Sequence, residues 1–340
     1  MAKLFLLFLM IPLLSLVNVK KTPQEKEWHI SGNAQGTTYA ITYFFADNVA
    51  VKSEADSILH LIDKEMSAYS ENSVINRFNA SENGVILPTH FKKVVEKSLE
   101  VSEKSDGLFD ITVAQLVQLW GFGSKKINEA PTTQEIASAL QHVGYKKLQL
   151  KGNYLIKKDK DLKIDVNGIA QGYTVDVLAN WLEKKGIKNY LVELGGEIRV
   201  KGRNLSSGKK FQIGIEGPSE ESFTGEIIKA KLMIDAGGVT TSGSYRKFYY
   251  SDGKKITHLM NPKIGYPLQN EMISATVWAN DAITADAYDN VLMAMGIEKS
   301  FEFLKKHPDL QAYLIYKKAN GIIADTATLE FKKHLIDMKF

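Results

Sequence analysis

The sequence predicts an α+β fold in which a single domain takes up nearly the whole chain. Segments with strand-like and helix-like patterns follow one another without the regular alternation of a doubly wound sheet. No linker divides residues 28–340, so we expect any second unit to be built from intertwined segments. The 340 residues, 44% hydrophobic and 24% charged, have the composition of a folded globular protein with a sizeable core.

In the first half of the domain, the predicted elements depend on residue type and periodicity. Thr37–Phe45 is rich in β-branched and aromatic residues, which favours a strand. Apolar residues in 51–66 fall on one side of a helix, whereas 67–83 is polar and predicted to be irregular. A helix through Phe91 and Leu99 should stop at Asp106-Gly107. The other predicted elements are strands at 28–30, 147–150, 154–157 and 162–164, and helices at 112–120 and 132–143.

In the second half, strands predominate and two helices interrupt them. Met272–Ala279 predicts a strong strand, and Ala282–Met295 predicts a helix directly after it. The other predicted elements are a helix at 169–185 and strands at 190–194, 197–200, 211–216, 225–234 and 313–316.

Charge and cysteine content exclude several classes of function. The chain has 43 Lys and Arg against 39 Asp and Glu, a net charge of +4, and its longest basic runs are pairs, so nothing requires nucleic acid. There is no cysteine, which excludes disulfides, thiolate nucleophiles, cysteine-based zinc sites and iron–sulfur clusters. Any metal site must therefore use oxygen or histidine ligands.

Residues 1–20 have the pattern of an export signal. Lys3 precedes an apolar run over residues 4–17, broken only by Pro12 and Ser15, and two lysines follow. The run is shorter than the roughly 20 residues of a membrane-spanning helix, and it is apolar on every face, unlike a surface helix. A secretory signal is favoured, with an uncleaved anchor as the alternative because no clear cleavage site is visible. We expect an exported protein, periplasmic or anchored to the outer face of the cytoplasmic membrane.

The segment from Asp165 to Gly172 could bind an anion. A predicted strand enters it and a helix is predicted to leave from about Gly168, so free backbone N–H groups there would suit a phosphate. Asp165 could equally cap the helix.

The segment from Asp235 to Arg246 is rich in glycine, serine and threonine. Its glycines permit close backbone approach, and its hydroxyls and amides could line a pyrophosphate. Arg246 could pair with phosphate, but Tyr245-Arg246 could equally begin a strand, and most such segments are turns.

The segment 284–290 could hold a metal ion. Asp286, Asp289 and Asn290 are three or four residues apart on a predicted helix and can project toward one region. Their oxygen atoms are hard ligands of the kind that Mg²⁺ prefers. The alternative is an acidic first turn stabilised by the helix dipole.

His258 is predicted to lie where a strand ends before a loop that contains proline and glycine. A histidine in that position can act as an acid, a base or a phosphate partner, although a lone histidine is more often structural.

The order of these segments resembles the ApbE family of FAD:protein FMN transferases. The matching stretches run from Gly36 to about Gly296, and each is weak alone, but eight in the same order are specific. They are Gly36-Thr37-Thr38-Tyr39; Met66-Ser67-Ala68-Tyr69-Ser70 with Phe78-Asn79; 107–113 with 119–123; 165–172; Gly195-Gly196-Glu197; Thr241-Ser242-Gly243 with Tyr245-Arg246; His258 with Asn261-Pro262; and Ala285-Asp286-Ala287.

The resemblance implies an ApbE-like (T-fold-like) arrangement of mixed sheets and helices around a central FAD cleft. It implies flavin and adenine contacts at Gln35, Tyr69, Leu108, Phe109, Asp110, Asp165, Gln171 and Met260. It also implies Mg²⁺ held by the backbone carbonyl of Gly168 and by the side chains of Asp286, Asp289 and Asn290. His258 would assist proton transfer or stabilise charge.

The resemblance further implies the reaction and its partners. A threonine or serine hydroxyl of an exported or membrane redox protein would attack the FMN phosphorus of FAD, forming a phosphoester and releasing AMP. The alternatives are an FAD pyrophosphatase, which gives free FMN and AMP, and a non-catalytic FAD-binding protein.

Four positions depart from the family's pattern. Gln35 occupies a position that is usually methionine, and Asn290 one that is usually threonine. The family often has Asp-Pro-x-Thr-Gly after its histidine, whereas here Asn261 begins the stretch and Ile264 replaces the threonine. We therefore expect the loss of a carboxylate and a hydroxyl near the phosphates.

Overall fold

The computed structural model describes residues 24–123, 129–218, 226–251 and 253–336. The predicted export signal at residues 1–20 lies outside this part of the chain. Among the described residues, no helix has the length and apolar character needed to cross a membrane. The α-helices are α1 (Lys52–Met66), α2 (Val74–Ala80), α3 (Thr89–Lys104), α4 (Ala114–Leu119), α5 (Thr133–Leu140), α6 (Ala170–Lys184), α7 (Ala282–Met295), α8 (Ile297–Lys306) and α9 (Leu329–Lys333).

The strands alternate irregularly with these helices. They are β1 (Lys26–Ala34), β2 (Thr37–Phe45), β3 (Gly84–Ile86), β4 (Leu148–Lys151), β5 (Tyr154–Lys157), β6 (Asn189–Leu194), β7 (Glu197–Lys201), β8 (Phe211–Pro218), β9 (Glu226–Ile234), β10 (Ala236–Gly243), β11 (Phe248–Ser251), β12 (Lys254–Thr257), β13 (Met272–Ala279), β14 (Gln311–Lys317), β15 (Ile323–Ala327) and β16 (Leu335–Ile336).

A central antiparallel sheet organises the domain. Within the described residues it has eight strands in the order β1-β2-β6-β7-β10-β13-β14-β15. Smaller antiparallel sheets have the orders β16-β9-β8 and β3-β5-β4, and β11 pairs with β12 as a hairpin. The α+β prediction is confirmed.

The two faces of the central sheet are covered differently. Helices α6 and α7 pack on one face, and α1 and α3 pack around them. The sheet β16-β9-β8 and α9 cover the other face, where Phe331 is fully buried against Trp278 and Tyr313. Since α7 contacts both α6 and the sheet, residues on α7 have fixed positions relative to both.

Three expectations about local structure were wrong. Residues 67–83 contain α2, which Ser73 caps by accepting the N–H of Asn76 and which buries Phe78. Leu162 and Ile164 are buried, but residues 162–164 form no strand, since the side chain of Asn79 hydrogen-bonds both the N–H and the carbonyl oxygen of Ile164. The glycine-rich segment after Asp235 is β10, in the middle of the central sheet, and its first turn begins only after Gly243.

Candidate functional site

One cleft collects all thirteen side chains and backbone groups that the sequence singled out. Its volume is about 440 Å³, and its walls come from the β1–β2 turn, the turn after α3, the starts of α6 and β7, the end of β10, the segment after β12, and α7. The thirteen residues that line it are Gln35, Tyr69, Leu108, Phe109, Asp110, Asp165, Gly168, Gln171, His258, Met260, Asp286, Asp289 and Asn290.

The β1–β2 turn brings Gln35 to the cleft. Ala34 pairs with Thr37, so the turn has only two residues, and both Gln35 (φ 51°) and Gly36 (φ 74°) have left-handed backbone. Such a turn matches the twist of the strands that it joins. The side-chain amide of Gln35 donates to Thr174 Oγ1 on α6 at 3.1 Å, which ties the turn to the helix.

The turn after α3 presents Leu108 and Phe109, and Asp110 holds it in shape. One carboxylate oxygen of Asp110 accepts the N–H (2.8 Å) and the hydroxyl (2.6 Å) of Thr112, and the other accepts the N–H of Tyr145 at 2.7 Å. Burial raises the pKa of Asp110, and these hydrogen bonds oppose that rise. Asp110 therefore has a structural role in this wall of the cleft.

The Asp165 segment differs from the expected helix cap. Asp165 accepts the N–H of Asn167 at 2.8 Å, which closes a local turn, and α6 begins later, at Ala170. The N–H of Gly172 in the first turn of α6 is not free for an anion, because it donates to Asp286 Oδ2 at 2.8 Å. The start of α6 thus positions a carboxylate of α7.

The contact between α6 and α7 depends on Gly172 and Asp176. A Cβ on Gly172 would lie 2.4 Å from the carbonyl oxygen of Ala282 and 2.6 Å from Asp286 Cβ, so only glycine fits there. Asp176 accepts the first two N–H groups of α7, from Ala282 (3.0 Å) and Ile283 (2.8 Å). A carboxylate at a helix N-terminus also favours the dipole of that helix.

Three carboxyl groups lie beside this contact: those of Asp286 and Asp289, which are buried, and that of Glu197, which is partly buried. Burial raises the pKa of Asp286 to about 7. Burial and mutual repulsion also raise the pKa values of Asp289 and Glu197 well above their ordinary range. Glu197 Oε2 is buried and has no hydrogen-bond partner among the described residues. A cluster of this kind needs protons or a cation to offset its charge.

Asn290 marks a point where oxygen atoms converge. Its side-chain NH₂ lies 2.9 Å from Asp289 Oδ1, 2.9 Å from the carbonyl oxygen of Asp286 and 3.3 Å from that of Gly168. Its Oδ1 accepts the hydroxyl of Ser242 at 3.2 Å. Carboxylate, carbonyl and amide oxygens so arranged are the donors that a hard divalent cation prefers.

His258 has a defined tautomer. It directly follows β12, as predicted, and its Nδ1 lies 3.1 Å from the backbone carbonyl oxygen of Lys247. A carbonyl oxygen can only accept, so Nδ1 carries the proton and Nε2 of the neutral ring is an acceptor. Burial lowers the pKa of His258, which favours this neutral form.

The departures near His258 lie outside the cleft. Asn261 Oδ1 accepts the N–H of Lys263 at 2.9 Å, which an aspartate in that position would also do. Ile264 is 54% exposed, and neither it nor Asn261 lines the cleft, whereas Pro262 does. The structure thus places neither side chain on the wall of the cleft, and the expected loss of a carboxylate and a hydroxyl near the phosphates stays a prediction.

Sequence reasoning assigned no role to Glu197 and Lys247, which line the cleft. Ser242 and Arg246 also line it, and they belong to the segment that was expected to line a pyrophosphate. A signal was present for Glu197, because Gly195 (φ 63°) and Gly196 (φ 101°) form the turn that delivers it. No sequence signal distinguished Lys247 from the other lysines.

Comparisons with known proteins find relatives that match nearly the whole chain. A model of the ApbE family matches residues 35–314. The FAD:protein FMN transferase of Haemophilus influenzae is 35% identical over 318 residues, which cover 89% of this chain and 90% of the relative. The protein of the same name from Vibrio cholerae is 34% identical over 316 residues, which cover 90% of this chain and 92% of the relative.

Solved structures extend the similarity to the fold. The flavin transferase ApbE from Vibrio cholerae superposes with a TM-score of 0.83 at 32% identity, over 91% of this chain and 99% of the other. The apo form of the flavinyl transferase ApbE from Pseudomonas stutzeri superposes with a TM-score of 0.81 at 30% identity, over 92% of this chain and 97% of the other. With a family model along most of its length and relatives above 30% identity, the chain belongs to the ApbE family.

Proposed function

We propose that this protein transfers FMN from FAD to a threonine or serine hydroxyl of a client protein and releases AMP. The observation that carries the proposal is the match, along about nine-tenths of both chains, to relatives named FAD:protein FMN transferase. The cleft supports the proposal, because carboxylates that could bind a metal ion and a neutral histidine line the same cavity.

Mg²⁺ fits the acidic corner of the cleft. Asp286 and Asp289 are 4% and 1% exposed, Glu197 Oε2 is unpaired among the described residues, and an amide NH₂ occupies the point where the oxygens converge. Gly168, Asp286, Asp289 and Asn290 would hold the ion, the last through its Oδ1 after rotation of the amide. When bound, it supplies positive charge that neutralises the phosphates and orients the bond to be broken.

His258 serves as the base for the attacking hydroxyl. Its Nδ1–H is held by the carbonyl of Lys247, and Nε2 takes the hydroxyl proton. The hydroxyl oxygen forms a bond to the FMN phosphorus, and the bond from that phosphorus to the bridging oxygen breaks. AMP leaves with the bridging oxygen, so the client gains a phosphoester.

The remaining lining residues hold the two ends of FAD. Tyr69 and Phe109 offer aromatic rings that can stack on the flavin or the adenine, and Tyr69 is 71% exposed. Met260 offers a polarisable thioether. Gln35, Leu108, Asp165 and Gln171 complete this set, and Asp110 contributes by fixing Leu108 and Phe109.

The pattern of residues 1–20 supports a location outside the cytoplasm. The protein would be periplasmic or anchored to the outer face of the cytoplasmic membrane. Its clients would then be exported or membrane redox proteins that carry a threonine or serine at the flavin attachment site.

Product analysis tests the proposal. The protein is incubated with FAD, Mg²⁺ and a client, and AMP, free FMN and protein-bound FMN are quantified by chromatography. We expect AMP and bound FMN in equal amounts, and loss of both in Asp286→Asn. The matched control is Asp281→Asn, which removes a carboxylate from the N-cap of α7 but leaves a residue that caps equally well. AMP with only free FMN would instead identify a pyrophosphatase, and intact FAD would contradict both activities.

A further inference from the structure

The cleft has an excess of acidic side chains for a site that binds an anion. Its ionisable lining comprises five carboxyl groups against one arginine and one lysine, in addition to His258. The arginine, Arg246, is paired with Glu216 Oε2 at 3.0 Å. The diphosphate of FAD therefore needs a second source of positive charge on the wall of the cleft, besides a metal ion at the acidic corner. The five carboxyl groups are Asp110, Asp165, Glu197, Asp286 and Asp289.

Among the described residues, Lys247 is the one lysine that lines the cleft. It lies in the turn between β10 and β11, and its side chain is exposed to the cleft. Its carbonyl oxygen accepts the backbone N–H of His258 at 3.2 Å and faces Nδ1 of the same residue at 3.1 Å. Within the described part of the chain, no carboxylate is within ion-pair distance of its ammonium group.

The charge of Lys247 acts on two other groups in the cleft. Burial raises the pKa of Asp165, and the ammonium group opposes that rise. Burial lowers the pKa of His258, and the ammonium group lowers it further. All three residues line the same cleft, so one ligand in it can contact them together.

We propose that the Lys247 ammonium group binds the diphosphate of FAD beside His258. The inference rests on the proposed function and adds a residue to it. Lysine binds phosphate as a point charge through charge-assisted hydrogen bonds, which are stronger than neutral ones. Because its backbone holds His258, Lys247 also fixes the base and the phosphates relative to each other.

Binding measurements on three variants test this inference. The dissociation constants of FAD and riboflavin are measured by calorimetry in Mg²⁺ for the wild type, Lys247→Met, Lys247→Arg and Lys254→Met. Riboflavin has the flavin ring but no phosphate, so it reports on the rest of the cleft. Lys254 lies on β12 of the same hairpin and does not line the cleft, which makes it the matched control.

We expect Lys247→Met to weaken FAD binding about tenfold, the effect of losing one charge-assisted hydrogen bond. Riboflavin binding should be unchanged, Lys247→Arg should retain most of the FAD affinity, and Lys254→Met should behave as the wild type. The FAD affinity of Lys247→Met should also depend less on salt.

Two results overturn the inference and leave the proposed function intact. One is equal FAD affinity in the wild type and Lys247→Met. The other is an equal loss for FAD and riboflavin, which would indicate a packing defect. A wild type that binds no FAD would overturn the proposed function as well, so the two failures are distinguishable.

Discussion

Replacing Gly172 by alanine should damage the site through the contact between α6 and α7. The added Cβ would lie 2.4 Å from the carbonyl oxygen of Ala282, whereas non-bonded contacts are about 3.5 Å. The helices would have to separate by about 1 Å, since the opposing atom is backbone and cannot rotate away. Such overpacking costs about 3 kcal/mol, and the better helix propensity of alanine offsets about 1 kcal/mol. The free energy of unfolding should fall by about 2 kcal/mol.

The same displacement should reduce activity. The hydrogen bond from the Gly172 N–H to Asp286 Oδ2, now 2.8 Å, would lengthen and move that carboxylate away from Asp289 and Gly168. A misplacement of about 1 Å can lower a rate about 100-fold. Urea unfolding measures the first effect, and the initial rate of FMN transfer measures the second.

Gly214→Ala is the matched control. A Cβ there would meet Ile228 Cδ1 at 3.5 Å, an ordinary contact, and the strand β8 should be as stable as before or slightly more so. If Gly172→Ala matches Gly214→Ala in both stability and rate, the helix contact does not position the site.

Further predictions concern pH, a helix cap and a second helix contact. Because the pKa of Asp286 is raised to about 7, its contribution to stability is complete below about pH 4 and is lost as the pH rises through about 7; the raised pKa values of Asp289 and Glu197 act in the same direction. Mg²⁺ should therefore raise the melting temperature more at pH 8 than at pH 6, and an equal rise would contradict this. Ser73→Ala removes the cap of α2 and should lower the free energy of unfolding by about 1 kcal/mol in urea titrations. Asp176→Ala leaves two amides of α7 without their acceptor, and we expect a loss of about 3 kcal/mol together with weaker Mg²⁺ dependence of transfer.

The sequence predicted well those elements whose pattern is long and local. The predicted bounds of Thr37–Phe45, Met272–Ala279 and Ala282–Met295 agree with the structure. The predicted stop of α3 is also confirmed, because Asp106 (φ 52°) and Gly107 (φ 73°) have left-handed backbone there. Each of these signals arises from the residues of the element itself.

The elements that the sequence missed depend on distant contacts. Helix α2 has only seven residues, and its buried Val74, Ile75 and Phe78 are too few to establish a helical period. Strand β10 consists mostly of small residues because α7 crosses it closely: a Cβ on Gly238 would lie 2.3 Å from the backbone of Ala282. The sequence of β10 alone cannot show this, because the constraint comes from the packing of α7 on the folded sheet.

The site was predicted from motif order, and its internal geometry was not. The ordered motifs identified residues that line one cleft. Spacing could not show that the carboxylate of Asp110 already accepts hydrogen bonds from Thr112 and Tyr145. It also could not show that Glu197 joins Asp286 and Asp289, because strand β7 and helix α7 are far apart in sequence. The roles of these residues stay predictions.

The central claim is that FMN becomes covalently attached to a client, and intact-protein mass spectrometry tests it most directly. The protein is mixed with FAD, Mg²⁺ and a client that carries a candidate acceptor threonine, and a second sample contains EDTA. We predict that the client gains the mass of one FMN less one water, only without EDTA, and that replacing the threonine by valine abolishes the gain. An unmodified client in the presence of released AMP and FMN would contradict the claim.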